Sequence, residues 1–198
     1  STIAIAFLIV LSAFSMFILR SSANWTFTQK LLINGPSGEG SPAMIEDRTG
    51  KMWLFFTSDR SGLTQIYYVT SMNGGNSWSD IEHFSPAIDH ERHIADPVVF
   101  QDSSGRFWVA WRNITAPANA DQIWFTTSYN GQNWAPARQL CDGHNDIGGF
   151  IEASTKVWFF FSPLSNYWHV SYKTTDDGGN SWSNLVTITT DGGMRNPY

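Results

Sequence analysis

The chain has 198 residues, of which 42% are hydrophobic, 15% are aromatic and only 15% are charged. This composition, with 10 Trp and 16 Gly, is typical of a β-rich protein and excludes a helical bundle or a disordered chain. A net charge of -5 without any cluster of Lys or Arg argues against nucleic acid as a partner. The single Cys141 cannot form an intrachain disulfide, and we expect an ordinary thiol and no cofactor or metal.

The N-terminal segment differs from the rest of the chain. Residues 1–19 carry no charge, and the first charged side chain is Arg20. As a helix this segment would be about 28 Å long, close to the thickness of a bilayer core. We therefore expect residues 1–23 to form one hydrophobic α-helix. Three roles stay open: the core helix of a filament, a membrane anchor, or a signal peptide cleaved after Ala23.

Residues 24–198 repeat one order of segments three times. A Trp-containing apolar run, short enough for a buried strand, recurs at residues 51–56, 106–111 and 156–161. Another run precedes each of these, at residues 41–47, 96–102 and 148–154. An aromatic and β-branched run follows, at residues 64–71, 121–128 and 168–175. A short fourth segment follows, so the pattern predicts four strands in each repeat. Pro42 and Pro97 occupy equivalent positions 55 residues apart, which gives the period of the repeat. Four-stranded units at about this period are typical of β-propeller blades.

The segment between the third and fourth strands of each repeat has its own motif. It reads SMNGGNSW at residues 71–78, SYNGQNW at 128–134 and TDDGGNSW at 175–182. Gly accepts positive φ and Asx side chains bond their own backbone, so the motif predicts a tight turn. The residues that carry it are Ser71, Asn73, Gly75, Trp78, Ser128, Asn130, Trp134, Thr175, Asp177, Gly179 and Trp182.

These turns resemble the Asp-box of sialidase-like β-propellers, Ser/Thr-x-Asp-x-Gly-x-Ser/Thr-Trp. The third copy matches fully, the first has Asn for Asp, and the second is one residue short. The resemblance implies an all-β, sialidase-like propeller of about three four-stranded blades. It also implies that the boxes are folding devices far from any active centre, with the Asx side chain closing the turn and the Trp wedged into the core of its blade.

The ring predicted from this resemblance is incomplete, because such propellers usually have six blades. Residues 25–42 resemble an outer strand without its blade, and residues 194–198 resemble the start of a fourth blade. Two explanations stay open: further blades beyond Tyr198, which we favour, or completion of the ring by neighbouring subunits. An open blade would expose strand edges that proteins normally protect.

The start of the chain carries a second resemblance. Ser1 is followed at once by the apolar segment, which resembles a mature type IV pilin of the archaeal kind. The Glu common near the start of bacterial pilins is missing. This resemblance implies a subunit that polymerises with itself through the N-terminal helix and is displayed outside the cell.

No residue is assigned to catalysis. The sialidase resemblance implies an Arg cluster, an Asp general acid and a Tyr nucleophile with a Glu partner. Gly40 stands where the first Arg is expected, and Arg195-x-Pro197 matches this motif only in form. Candidates for ligand binding lie mainly in the loop that enters the second blade: Asp89, His90, Arg92, His93 and Asp96, with Arg195 elsewhere. Asn24 and Asn113 begin N-glycosylation sequons.

Two functions follow from these patterns. The first is a surface-displayed structural or adhesive protein, a pilin-like filament subunit or anchored protein whose propeller faces outward and binds glycans. The second is a secreted or membrane-anchored glycoside hydrolase of the sialidase type, without its catalytic blades in residues 1–198. The retained apolar N-terminus and the missing entry Arg favour the first.

Overall fold

A computed structural model of the chain describes residues 33, 35–87, 93–114, 121–142, 144–163 and 169–189. The chain divides into two units, residues 1–34 and 35–198, and the elements below belong to the second. The hydrophobic helix predicted at residues 1–23 lies outside the described residues. No helix within the described part of the chain is long and apolar enough to cross a membrane.

The described residues form twelve strands in three four-stranded antiparallel sheets, which we call blades 1 to 3. Blade 1 contains β1 (Glu39–Glu46), β2 (Met52–Ser58), β3 (Gln65–Ser71) and β4 (Glu82–His83). Blade 2 contains β5 (His93–Gln101), β6 (Phe107–Ile114), β7 (Gln122–Ser128) and β8 (Arg138–Asp142). Blade 3 contains β9 (His144–Ala153), β10 (Lys156–Pro163), β11 (Ser171–Thr175) and β12 (Val186–Thr187). Ser85–Ala87 form one 3-10 turn after β4. The prediction of three four-stranded units is confirmed, because the strands of each blade pair in chain order.

The first strand of every blade is interrupted at the same point by a bulge. The pairing of β1 with β2 skips Ser41 and Pro42, and that of β5 with β6 skips Asp96 and Pro97. In β9 the ladder skips Gly148. Proline cannot donate a ladder hydrogen bond, so a bulge is where a strand tolerates it. Because β1 packs beside β5 and β5 beside β9, the three bulges lie together along the inner edge of the blades.

Each turn between the third and fourth strands, which we call a tryptophan turn, is held by its own side chains. In the third turn the Thr175 hydroxyl donates to Asp177 Oδ1 at 2.8 Å and accepts from Gly179 N–H at 2.9 Å. Ser181 donates its N–H and its hydroxyl to the Asp177 carboxylate, at 3.0 and 2.6 Å. The hydrogen bonds from Ser181, then that from Thr175, hold the pKa of Asp177 well below its usual range.

The first turn makes the same connections with a neutral side chain. The Ser71 hydroxyl donates to Asn73 Oδ1 at 3.0 Å and accepts from Gly75 N–H at 3.0 Å. Asn73 accepts from Ser77 N–H at 2.9 Å, but its amide donates to the Ser77 hydroxyl at 2.8 Å. The Ser77 hydroxyl therefore accepts a hydrogen bond where the Ser181 hydroxyl donates one. The turn keeps its shape without the carboxylate.

The shortened second turn keeps the central part of this network. The Ser128 hydroxyl donates to Asn130 Oδ1 at 3.1 Å and accepts from Gly131 N–H at 3.0 Å. Asn133 N–H donates to Asn130 Oδ1 at 2.8 Å. Although this turn is one residue shorter, the hydrogen bond from its first hydroxyl to the Asx side chain is the same as in the other two turns.

The turns also join neighbouring blades, which corrects one expectation. The Trp was expected in the core of its own blade, but both hydrophobic clusters lie between blades. Trp134 packs edge-on against Phe84 of blade 1 at 5.0 Å between ring centroids. Trp182 packs in the same way against Phe125 of blade 2 at 5.4 Å. A tryptophan turn therefore stabilises the junction with the preceding blade as well as its own strands.

A second repeated turn, which the sequence analysis missed, connects the first and second strands. We call it the aspartate turn, and it reads DRTGKMW at residues 47–53 and DSSGRFW at 102–108. Asp102 accepts at Oδ1 from Ser104 and Arg106 N–H, and at Oδ2 from the indole of the fully buried Trp108 at 2.8 Å. Asp47 binds Trp53 in the same way at 2.9 Å. Burial raises the pKa of Asp102, but the hydrogen bonds from Ser104, Trp108 and Arg106 outweigh it, so the pKa is lowered.

The packing of turns on blades predicts different costs for substitutions at two glycines of the tryptophan turns. Gly131 and Gly74 both have positive φ, at 69° and 65°. A methyl group at Gly131 would collide with the Trp53 ring, whereas nothing lies within 4 Å of that at Gly74. Gly74→Ala should cost about 1–2 kcal/mol of strain, and Gly131→Ala about 1–3 kcal/mol more from overpacking. Urea denaturation measures both, and equal costs would show that the turn does not pack on blade 1.

The aspartate turn predicts a pH-dependent effect of Asp102→Asn. An amide cannot accept from Trp108 and from the backbone with the same geometry, so the variant should lose about 1–3 kcal/mol at pH 7. Because the folded pKa lies below the ordinary value of 3.8, this contribution is present above that pH and disappears as the pH falls through the folded pKa. Denaturation of both proteins from pH 7 to pH 3 should show the difference shrinking. A difference independent of pH would contradict the role of the carboxylate, and the exposed Asp80→Asn is the control.

Candidate functional site

The bulges of blades 1 and 2 place two polar side chains against each other. Ser41 and Asp96 have left-handed backbone conformations, with φ of 44° and 54°. The Ser41 hydroxyl donates to Asp96 Oδ1 at 3.0 Å, across the junction between the two blades. Non-glycine residues with positive φ are uncommon and concentrate at functional positions. The bulges therefore direct both side chains to one point near the start of the inner strands.

Arg112 completes this group from the second strand of blade 2. It lies opposite Ala95 in the register, beside the bulge. Its Nη2 is 2.7 Å from Asp96 Oδ2, and its Nη1 is 3.5 Å from Asp121 Oδ2. The side chain of Asp121 is only 7% exposed, against 36% for that of Asp96. Arg112 therefore connects a buried carboxylate to one that faces solvent.

Ser41, Asp96 and Arg112 line an open cavity of about 450 Å³, which we call the inner cavity. Its walls are Ser41, Pro42, Asp96, Pro97, Val98, Arg112 and Ile147. Arg112, Asp96 and Asp121, which pairs with Arg112 but is not one of these walls, give the group a formal net charge of -1. It offers accepting oxygens and the donors of a guanidinium, a combination suited to the hydroxyl groups of a neutral ligand.

Of the predicted ligand-binding residues, the structure places Asp96 in the inner cavity and His93 outside its walls. His93 is exposed, and its Nδ1 accepts from Thr64 N–H at 3.2 Å in blade 1. The predicted residues Asp89, His90, Arg92 and Arg195 lie outside the described residues, as does Asn24.

Asn113 is in the second strand of blade 2 and only 7% exposed. A glycan on this side chain would have no room in the folded protein, which argues against Asn113 as an acceptor.

Sequence reasoning missed Arg112 and Asp121. One signal was available, because Arg112 interrupts the apolar run FWVAWRNI of a strand with five buried residues at its start. Charged side chains are rarely placed in such strands without a partner. The partner itself could not be identified, since Asp121 begins the next apolar run of the sequence, and nothing in the sequence shows that it lies beside Arg112.

Two further features bear on the chemistry of the described residues. No group of three or more His, Cys, Asp or Glu side chains among them is placed to hold a metal ion. Cys141 is half-buried, and burial raises the pKa of its thiol to about 12. The thiol is therefore protonated at neutral pH and unsuited to act as a nucleophile.

Comparison with known proteins supports the fold. No family model and no curated protein matches the sequence. Among solved structures, a Hadza microbial sialidase is similar at 14% identity and a TM-score of 0.62. The match covers 74% of this chain and 33% of the sialidase. An α-L-arabinanase of Penicillium chrysogenum matches 77% of this chain with 50% of its own, at 13% identity and a TM-score of 0.62. The NanB sialidase of Streptococcus pneumoniae is similar over 82% of this chain and 46% of its own, at 11% identity and a TM-score of 0.60.

At these identities the likeness establishes the fold, a sialidase-like β-propeller, and nothing of the activity. The three structures differ in the substrates that their names give, so the fold by itself does not select among them. This chain spans between a third and a half of their length.

The burial of Asp121 predicts that Arg112 matters for stability. Arg112→Gln would leave a buried carboxylate without its cation, and removing one partner of a buried pair typically costs about 3–5 kcal/mol. Lys156→Gln is the matched control, because Lys156 and Asp176 are 3.6 Å apart and largely exposed. Exposed pairs contribute about 0–1 kcal/mol. Urea denaturation at pH 7 compares the two, and similar small losses would show that Arg112 does not stabilise Asp121.

Proposed function

We propose that this protein binds glycans through the inner cavity of its propeller and is displayed at the cell surface. The observation that carries the proposal is the group formed by Ser41, Asp96 and Arg112, which two bulges and one strand register bring together. Glycoside-processing enzymes among the structural neighbours support a saccharide as the ligand.

The inner cavity favours a neutral saccharide. A carboxylate accepts hydrogen bonds from sugar hydroxyls, and a guanidinium donates to their oxygens. Asp96 is the solvent-facing carboxylate, and Arg112 holds it in place at 2.7 Å. Together with the buried Asp121, which also pairs with Arg112, the group has a formal charge of -1, and this disfavours an acidic sugar at this position.

Binding fits the described residues better than hydrolysis. A typical glycosidase needs two carboxyl groups on opposite sides of the scissile bond, one of which delivers a proton to the leaving oxygen. Asp96 and Asp121 are instead both paired with the same guanidinium. The second function, a sialidase-type glycosidase, is supported by the sialidases among the neighbours and would need groups beyond those described.

We also propose that the tryptophan turns are Asp-boxes and serve as scaffold. Their side chains are engaged in closing the turn, and their Trp rings pack between blades. Display would come from the apolar residues 1–23, as the core helix of a pilin-like filament or as a membrane anchor. That part of the proposal rests on the sequence alone.

The binding proposal predicts that the full-length protein binds a neutral oligosaccharide by isothermal titration calorimetry. Arabinobiose is the neutral probe, and sialyllactose is the acidic one. Asp96→Asn should weaken binding of the neutral probe by ten-fold or more, because a hydrogen bond to a charged group contributes about 1.5–3 kcal/mol. The exposed Asp80→Asn should bind as the unaltered protein does.

Two results would contradict the proposal. One is undetectable binding of arabinobiose by a protein that is folded by circular dichroism. The other is turnover of a fluorogenic sialoside or arabinoside that Asp96→Asn abolishes, which would favour the glycosidase instead.

A further inference from the structure

A second cavity lies at the opposite end of the blades. Asp96 lies near the start of β5, whereas the second tryptophan turn follows the end of β7, and these two strands run in the same direction. The second cavity, which we call the outer cavity, has a volume of about 310 Å³ and lies between the tryptophan turns of blades 2 and 3. Among its walls are Arg106, Tyr129, Asn133, Arg138, Gly178 and Asn180.

Arg106 presents a cation to this cavity without a carboxylate partner. No acidic side chain of the described residues lies within 4 Å of its guanidinium, whose Nη2 donates to the Tyr129 hydroxyl. The guanidinium lies 4.8 Å from the centroid of the Tyr129 ring. Its Nε is buried and makes no hydrogen bond. Its Nη1 makes no hydrogen bond to the described residues either, and it is the donor that remains for a ligand.

Arg138 is the second cation of the outer cavity. Its guanidinium lies 5.0 Å above the Phe125 ring and donates to Asn180 Oδ1 at 3.4 Å, a long hydrogen bond. It too has no carboxylate within 4 Å among the described residues. Two arginines therefore face one cavity with neutral partners only.

The other blades provide an internal comparison. In blade 3, Lys156 occupies the position of Arg106 and pairs with Asp176, which occupies that of Tyr129. The position of Arg138, opposite Phe125, is Glu82 in blade 1 and Val186 in blade 3. Blade 2 alone of the three therefore combines two cations without compensation at this place.

The acidic residues next to the outer cavity are already engaged. Asp176 pairs with Lys156, and Asp177 accepts hydrogen bonds from Thr175 and Ser181 inside its own turn. Both precede Gly178, whose backbone lies against the Arg106 guanidinium. Neither carboxylate lies within 4 Å of the two guanidinium groups, which therefore remain available to a ligand.

We propose that the outer cavity binds the carboxylate or sulfate group of an acidic saccharide. Guanidinium groups recognise both anions through paired N–H donors. Tyr129 is 64% exposed and offers a ring face on which a sugar can stack. Asn133 and Asn180 supply amide groups for hydroxyls. This site is separate from the inner cavity, and its ligand differs in charge.

The test titrates the full-length protein with glucuronic acid, sodium sulfate and glucose by calorimetry. Glucuronic acid should bind, sulfate should compete with it, and glucose should not compete. Arg138→Gln should weaken binding of glucuronic acid by ten-fold or more, and Arg138→Lys by less. Tyr129→Ala should weaken binding of glucuronic acid more than binding of sulfate, because it removes the stacking face for the sugar as well as the hydroxyl that contacts Arg106. Lys51→Gln, at the position of blade 1 that is equivalent to Arg106, is the control and should have no effect.

Several results would overturn the proposal. These are no binding of either anion, binding by Arg138→Gln equal to that of the unaltered protein, or binding of sulfate without glucuronic acid. Thermal unfolding of each variant shows whether it is folded, and Arg138→Lys keeps the test valid if Arg138→Gln is not. Asp96→Asn should leave this binding intact, so the outer cavity can fail or succeed independently of the inner one.

Discussion

The structure depends on the contacts that the second and third tryptophan turns make with the blade before them. A blade is a four-stranded sheet with two apolar faces, and it cannot bury both by itself. The glycine of the turn lets its backbone approach the tryptophan of the preceding blade, and the turn's own tryptophan fills the space beside it. Gly179, for example, would place a methyl group 2.9 Å from Phe125 and 3.0 Å from Trp108. Both hydrophobic clusters of the described residues are built around such junctions.

This arrangement leaves the ends of the blades free for polar groups. At one end the inner strands bulge, and the bulges turn Ser41 and Asp96 toward Arg112. At the other end the tryptophan turns of blades 2 and 3 meet. There Arg106, Tyr129 and Arg138 of blade 2 give the outer cavity its two cations and its aromatic ring. The two sites differ in sign, since the inner group has a formal charge of -1 and the outer one carries two cations. A propeller can therefore present groups of opposite charge at its two ends without altering its core.

Much of the fold could be predicted from local sequence. Three copies of an Asx-Gly-Trp turn, each between two apolar runs, were enough to predict four strands per blade and their order, because hairpin connections constrain pairing. The aspartate turns were missed because the third repeat has Ala153 in place of Asp, which breaks the pattern that made the tryptophan turns visible. Trp134 packs between its own blade and blade 1 instead of within its own blade alone, and a repeat in sequence does not show which neighbour its side chains touch.

The candidate site was harder to predict than the fold. Asp96 was identified because it lies in a charged segment, but its partners come from another strand and from beyond a loop. The pairing with Arg112 depends on a bulge that shifts the register, and a shift of this kind reverses which face a side chain takes. The outer cavity could not be predicted, because Arg106 and Lys156 occupy equivalent positions in the sequence and only the structure shows that their neighbours differ.

The central claim is that the inner cavity is where a saccharide binds, and a crystal structure of the full-length protein soaked with arabinobiose tests it most directly. The account predicts sugar density within hydrogen-bonding distance of Asp96 and Arg112. Density elsewhere on the protein, or an inner cavity that stays free of sugar in crystals where it is accessible, would contradict it.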